Sequence, residues 1–427
     1  MNRLLAIFKI RDLRKKVIIV SGLLIAYRLL AAIPVPGVDI TRLQDYFNSN
    51  QLLGFLNLFS GGGLDNLSVV MLGVGPYITA TIIMQLLTII FPKFKQMYYE
   101  EGSRGQAKFN QYSRLLAVPL AVLQAYAFLS LLISQNVIDQ PSLFNTIRNV
   151  SAITAGSMLA LWFGELISEQ KIGNGISLII LAGIVSSLPR GLMTGLQLYE
   201  ATYLPAYIGF ALAFVLIVAG VVYLNEGERK VPIAYARRVR GMKMYGGVAS
   251  YLPIKVNQAG MIPLIFAVSV LLFPQFIAQV VTLISSGAGN AMNDFINTYL
   301  NPQSIYYGVF YFFLVFIFTY FYTTITFNPE ELSKNLQRSG GFVPGIRPGE
   351  ATGKFFSNVI GRLTFFGALF LGLIAILPFV FQFFLPPQLQ SVLTVSGTAL
   401  LIVVAVALEM MRQIDSQLTI REYEGIE

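Results

Sequence analysis

The sequence contains no cysteine and no histidine in 427 residues, and only 12% of it is charged. Without thiols there is no disulfide and no cysteine nucleophile. Without imidazole, Ser-His catalysis, histidine-based metal sites and histidine proton relays fall away too. There is no G-x-S-x-G, no H-E-x-x-H, no G-x-G-D and no P-loop, and the G-x-G at 73–75 follows no strand. No catalytic residue, metal or cofactor is expected, so any energy input has to come from a partner. The scarcity of charge also excludes an ordinary soluble surface, since soluble domains carry about 25% charged residues.

What the chain has instead is apolar residues, 55% of the total. They come in blocks of about twenty, the length that crosses a hydrocarbon core of roughly 30 Å as a helix. The blocks predict spans at about 17–33, 64–91 (broken near Gly73–Pro76), 113–133, 151–168, 174–190, 203–224, 258–284, 305–327, 361–384 and 391–411. The first reads as a spanning helix rather than a cleavable leader, because it runs into "IPVPG" with no small-residue cleavage site. The fold class is therefore an all-α polytopic membrane protein. A β-barrel, with its alternating segments of about ten residues, does not fit.

Ten crossings put both termini on one side. All but four of the 30 lysines and arginines lie on that side too, the exceptions being Arg28, Arg42, Arg148 and Arg190. By the positive-inside rule the termini and the long basic loops are cytoplasmic. Five is odd, so two five-span halves, about 1–200 and 201–427, enter with opposite orientation. Span two carries Gly73, Gly75 and Pro76, and span seven carries Gly260, Pro263 and Pro274. Breaks at matching places in inverted halves suit a pathway at their interface, although Gly and Pro are also ordinary in spanning helices.

Beside the breaks, Val74 and Ile78 share a helical face, as do Ile176 and Ile180 after "GNG". Such faces serve ordinary packing or, if they converge on an axis, an apolar constriction. Of the polar residues in spans, Thr79, Thr81, Gln85 and Asn257 suit interhelical hydrogen bonds, and Arg28 suits snorkelling to the outer interface. Gln85 and Asn257 lie in the two interrupted spans, where a hydrogen-bonded seam would make a reversible gate. The loops at 227–247 and 335–354 carry Arg229, Lys230, Arg237, Arg238, Arg240, Lys243, Arg338, Arg347 and Lys354 with Gly and Pro between them. Their length marks them as structured protrusions, and their charge suits RNA phosphate or an acidic protein surface. Broken helices also suit a small-solute transporter. The acids Glu165 and Glu409, however, sit near cytoplasmic ends and leave the span interiors nearly free of carboxylates, which disfavours ion coupling. An intramembrane protease lacks its catalytic residues.

Six blocks then carry a resemblance: "YRLLAAIPVPGVD" (27–39), "SGGGLDNLSVVMLGVGPYITATIIMQLL" (60–87), "WFGELISEQKIGNGISLIILAGI" (162–184), "YLPIKVNQAGMIPLIFA" (251–267), "NPEELSKNLQRSGGFVPGIRPG" (328–349) and "SGTALLIVVAVALE" (396–409). Together they resemble the SecY/Sec61-alpha family of protein-conducting channels from about residue 3 to 425. The resemblance implies two inverted five-helix halves around a central pore, with a short plug helix in a water-accessible outer funnel. The plug corresponds to about Ser60–Val70, including Gly61, Gly62, Gly63, Leu64, Asp65, Asn66, Leu67 and Ser68. The pore ring carries over to Val74, Ile78, Ile176, Ile180, Ile265 and Ile402, and the lateral gate to Thr79, Gln85, Asn257 and Phe273.

The same resemblance assigns Arg237, Arg238, Arg240, Lys243 and Arg347 to partner-binding loops. It implies SecE- and SecG-like subunits, the SecA ATPase, the ribosome, signal peptides, nascent polypeptides and membrane lipid as partners, and the bacterial cytoplasmic membrane as location. Two departures stand out. Val74 is smaller than the family's usual isoleucine, and Met242 replaces a common basic residue before Lys243.

Overall fold

The computed structural model describes residues 10–36, 57, 60–64, 66–134, 137–138, 141–197, 201–235, 238–240, 243–245, 249–301, 304–382 and 387–424. Of the expected site residues, Asp65 and Arg237 lie outside these.

Ten helices fall on the ten apolar blocks: α1 (Arg11–Ala31), α2 (Gly75–Ile90), α4 (Gly102–Ser134), α5 (Leu143–Glu169), α6 (Gly175–Gln197), α7 (Leu204–Glu226), α8 (Ile262–Ile284), α10 (Ile305–Thr326), α12 (Glu350–Gln382) and α13 (Pro387–Glu424). Shorter helices are α3 (Pro92–Tyr99), α9 (Ser286–Tyr299) and α11 (Pro329–Arg338). Among the described residues, five segments meet a strict length and hydropathy test for a span: Gly102–Ile133, Leu143–Glu169, Leu204–Glu226, Ile305–Arg338 and Glu350–Phe381. A sixth arises if α2 and α3 count as one span, though they meet at a bend of 110°. That bend has a local cause. Phe91 is extended (φ −112°, ψ 114°) because the residue before a proline is pushed out of the helical region, and Pro92 then opens α3.

One expected span is corrected. Helix α2 starts at Gly75, not 64, and the described residues of 60–74 form a run of turns. Gly61, Gly62 and Gly73 take φ of +63°, +79° and +51°, and Leu67 takes φ +41°. A helix cannot run through those values. Spans nine and ten are also longer than their apolar blocks, since α12 begins at Glu350 and α13 runs to Glu424.

The chain divides into two compact units, one comprising Met1–Ala211, Val268–Gly308 and Pro378–Glu427, the other Leu212–Ala267 and Val309–Leu377. In the first, α4 packs on α2 and α5, and α6 packs on α5 and α13. Small residues permit close approach: a Cβ on Gly175 would collide with the carbonyl of Gly164. In lipid, where apolar burial gives little net drive between helices, such close packing is what holds them together. Arg114 of α4 and Glu165 of α5 add an ion pair at 2.5 Å.

The second unit contains strands that a reading of span lengths does not reveal: β1 (Glu228–Tyr235), β2 (Arg238–Arg240), β3 (Lys243–Tyr245), β4 (Ala249–Lys255) and β5 (Gly341–Phe342). Antiparallel β1 is flanked by β4 and β5, with Val231 opposite Leu252 and Ala234 opposite Phe342. Alternation turns Val231 and Ile233 inward, where Ile254, Leu336, Val343 and Phe356 complete a small core. Helix α11 closes it, capped by Asn328, whose side chain accepts from the amides of Glu330 and Glu331 at 3.1 and 3.3 Å.

Candidate functional site

The irregular segment 60–74 is the centre of the first unit's site. Ser60, Leu64, Leu67 and Ser68 are each at most 2% exposed. The expected water-accessible funnel is therefore corrected: in this structure the loop is buried in protein. That equally permits irregular backbone at membrane depth, because protein groups satisfy the amides. The Leu64 amide donates to Asn57 Oδ1 and to Ser60 Oγ, both at 3.2 Å, and Ser68 Oγ donates to the Gly63 carbonyl at 2.8 Å. The chain after α1 then pairs with the loop. The Val35 amide donates to the Leu67 carbonyl at 2.8 Å, and the Val69 amide to the Ile33 carbonyl at 3.0 Å. On the apolar side, Leu64, Leu67, Met71 and Leu72 pack with Phe128, Leu129, Leu132 and Ile153 of α4 and α5.

The surrounding helices grip this loop through its main chain. The Tyr27 hydroxyl donates to the Ser60 carbonyl, and Arg28 Nη1 donates to the Gly61 carbonyl at 2.8 Å. Arg28 therefore does not simply snorkel, as expected; it turns inward to the loop. Ser157 Oγ of α5 donates to the Gly73 carbonyl at 2.8 Å. Gly183 of α6 lies so close to Gly61 that a Cβ there would overlap its backbone, and Gly156 of α5 stands in the same relation to the carbonyl of Val69. None of Tyr27, Ser157, Gly156 or Gly183 was singled out from sequence. For Gly156, Ser157 and Gly183 the signal available was the small-residue content of spans four and five.

Five of the six residues expected in the ring lie at or near helix starts. Val74 is the N-cap of α2, with its carbonyl accepting from the Ile78 amide at 3.1 Å, and Ile176 and Ile180 lie in the first two turns of α6. Ile265 opens α8 in the second unit, and Ile402 lies within α13. All are buried except Ile176, which is half-buried. A turn precedes each of these three starts, with positive φ at Gly73, Lys171 and Gly260.

The four residues expected at a lateral gate have different surroundings. Thr79 is half-buried and bonds back to the Gly75 carbonyl at 3.1 Å. Gln85 is 7% exposed, and its Oε1 has no hydrogen-bond partner among the described residues. Asn257 donates from Nδ2 to Asn225 Oδ1 at 2.8 Å and to the Gly260 carbonyl at 3.1 Å, so its amide is engaged within its own unit. Phe273 is partly buried on α8. Asn225, at the end of α7, is a partner that sequence spacing does not disclose.

Of the basic loop residues, Arg238 and Arg240 lie on β2 and Lys243 on β3. Arg347 is exposed on a braced turn. Its carbonyl accepts from Thr352 Oγ1 at 2.8 Å, and the neighbouring Gly349 carbonyl accepts from Ser333 Oγ at 2.6 Å. The backbone is held while the side chain is exposed.

Ten apolar helices, a buried irregular loop and a small folded sheet define a multi-pass membrane protein. The SecY family model matches residues 68–411. The chain is 42% identical over 432 residues, covering 97% of both chains, to the protein translocase subunit SecY of Mycobacterium bovis. A solved structure described as the SecY plug domain stabilising the closed state of the translocation channel superposes with a TM-score of 0.64 at 19% identity, over 92% of this chain and 90% of that one. Sec61 in a canine ribosome-channel complex gives 0.60 at 17%, over 93% and 90%. The chain belongs to the SecY family.

Proposed function

We propose that this chain is the central pore subunit of a protein translocase. It passes unfolded secretory polypeptides across the membrane and releases apolar segments sideways into lipid. The observation that carries this reading is the 42% identity over 97% of both chains with a protein translocase subunit. The halves 1–200 and 201–427 enclose the path. Val74, Ile78, Ile176, Ile180, Ile265 and Ile402 form the constriction, and residues 60–70 are the plug. Thr79, Gln85, Asn257 and Phe273 line the lateral gate. An apolar ring fits loosely around many side chains because it makes no directional bonds, and it resists hydration when empty.

The channel is passive and not an enzyme. SecA or the ribosome drives it from the cytoplasm, SecE- and SecG-like subunits complete it, and the bacterial cytoplasmic membrane holds it with both termini inside. The lysine and arginine asymmetry supports that orientation.

The test uses the absence of cysteine. With Ile180→Cys the only thiol in the chain, a stalled secretory polypeptide bearing one cysteine is expected to form a disulfide with it. A transporter of small solutes would give no such product. A second expectation concerns the cytoplasmic face. Arg347→Glu should lower SecA-driven translocation at least tenfold while leaving membrane insertion of the chain unchanged, because the reversed charge repels an acidic partner at a braced turn. Normal translocation by this variant would remove Arg347 from the partner surface.

A further inference from the structure

Adjacent residues of α1, Tyr27 and Arg28, bind adjacent carbonyls of the irregular loop, those of Ser60 and Gly61. Tyr27 is fully buried and Arg28 half-buried. The fit continues around these bonds. A Cβ on Gly61 would stand 2.7 Å from the Tyr27 hydroxyl, and one on Gly62 would stand 2.5 Å from Arg28 Nη1. The far end of the loop returns to the same place, since a Cβ on Gly73 would lie 2.7 Å from Ser60 Cα. The loop is thus closed on itself at Ser60 and Gly73, and α1 holds the closure point from one side.

We propose that Tyr27 and Arg28 are a latch on the plug: positioning residues that hold it shut through its main chain and set how often the resting channel opens. This rests on the assignment of residues 60–70 to the plug. A carbonyl is the same acceptor whatever side chain its residue carries, so the two bonds read the path of the backbone, while the space around them requires glycine at 61 and 62. The two donors differ in kind. Tyr27 offers one neutral hydroxyl in a dry site, with its ring against Gly61. Arg28 offers a charged donor, and hydrogen bonds from charged groups are the stronger class. Helix α1 also packs on α5 and α6, whose Ser157 and Gly183 touch the same loop. A shift of α1 against those helices would therefore draw the donors off both carbonyls together.

The test measures resting ion conductance of the complete complex in planar bilayers, with no substrate. Tyr27→Phe keeps the ring and loses the donor; Arg28→Gln loses the charge; Arg28→Lys keeps it. The first two should each raise open probability about tenfold, while Arg28→Lys should stay within about threefold of the parent. A variant lacking residues 60–68, and with them both carbonyls that the latch holds, provides the reference. It should conduct more than any of them, and adding Arg28→Gln to it should change nothing further, because the latch has nothing left to hold. Parent-level conductance for both Tyr27→Phe and Arg28→Gln, with high conductance for the deletion, would overturn the latch and leave the plug standing. Parent-level conductance for the deletion itself would overturn both. An equal further increase from Arg28→Gln in the deletion background would make Arg28 a packing residue and overturn the latch.

Discussion

Channels carrying Ile78→Ser, Ile176→Ser and Ile180→Ser together are expected to leak ions at least tenfold more than the parent in the absence of substrate. The argument is one of hydration. A closed constriction of β-branched apolar side chains holds no stable water, so an ion crossing it sheds its shell against surfaces that offer nothing in return. Serine supplies a hydroxyl and removes three heavy atoms' worth of apolar wall for each isoleucine. Lowering the barrier by about 1.4 kcal/mol is enough for a tenfold rise, and burial of one large aliphatic side chain is already worth about 1.5–3 kcal/mol.

Packing loss has to be separated from this effect. Ile78 is 4% and Ile180 0% exposed, so each truncation also costs stability, about 2–5 kcal/mol for an isoleucine cut to alanine at a tight site. Thermal unfolding in detergent measures that cost. A matched control, Ile254→Ser in the small core under β1 and β4, away from the loop and the helix starts, should destabilise comparably without leak. Parent-level conductance in the triple variant, at normal yield and with the control behaving as stated, would remove these residues from the constriction.

Much of the architecture could be read before any coordinates, and the reasons are physical. A block of about twenty apolar residues has few options other than a helix, because in lipid every backbone amide has to be satisfied within its own segment. All ten blocks became helices for that reason. The break at 60–74 was visible too, since Gly61, Gly62 and Gly73 are residues that reach positive φ at low cost. The environment of the break was not visible. Composition marks a segment as unfit to face lipid, but water and protein are both acceptable alternatives, and only packing shows that Leu64 and Leu67 are buried.

Arg28 teaches the same point. Its depth near a helix end is written in the sequence, whereas the carbonyl opposite it depends on where the chain returns 33 residues later. The small sheet escaped notice because β1 carries its charges at one end and buries only Val231 and Ile233. Asn257 was marked as a polar residue of span seven, yet it lies in the irregular segment before α8, and its partner Asn225 stands 32 residues away at the end of α7. Pairings of that kind are products of tertiary structure, and no local period encodes them.

The glycines that seat the loop give the other large expected effect. Gly183→Val should leave the plug unable to reach its resting position, with a constitutively conducting channel as the result. At position 183 a Cβ would overlap the backbone of Gly61. A clash with the end of a flexible side chain relaxes cheaply, but here both partners are main chain, on a helix and on a buried turn. Gly61 cannot retreat, because its other side faces Tyr27, and its φ of +63° leaves few conformations to move into. Overpacking typically costs about 1–3 kcal/mol, which is a shift of about 5- to 150-fold in the closed-to-open ratio, and a backbone-on-backbone overlap belongs at the upper end.

Alanine already supplies the offending Cβ, so Gly183→Ala should give most of the effect and valine slightly more. Gly22, on α1, has nothing within 4 Å of its Cβ position, so Gly22→Ala should leave conductance unchanged and serves as the control for helix propensity. In the variant lacking residues 60–68, Gly183→Ala should no longer matter, because the Gly61 backbone it would strike is gone. If Gly183→Ala conducts like the parent and binds substrate normally, the contact between α6 and the loop is slack in the working channel, and the closed state is held elsewhere.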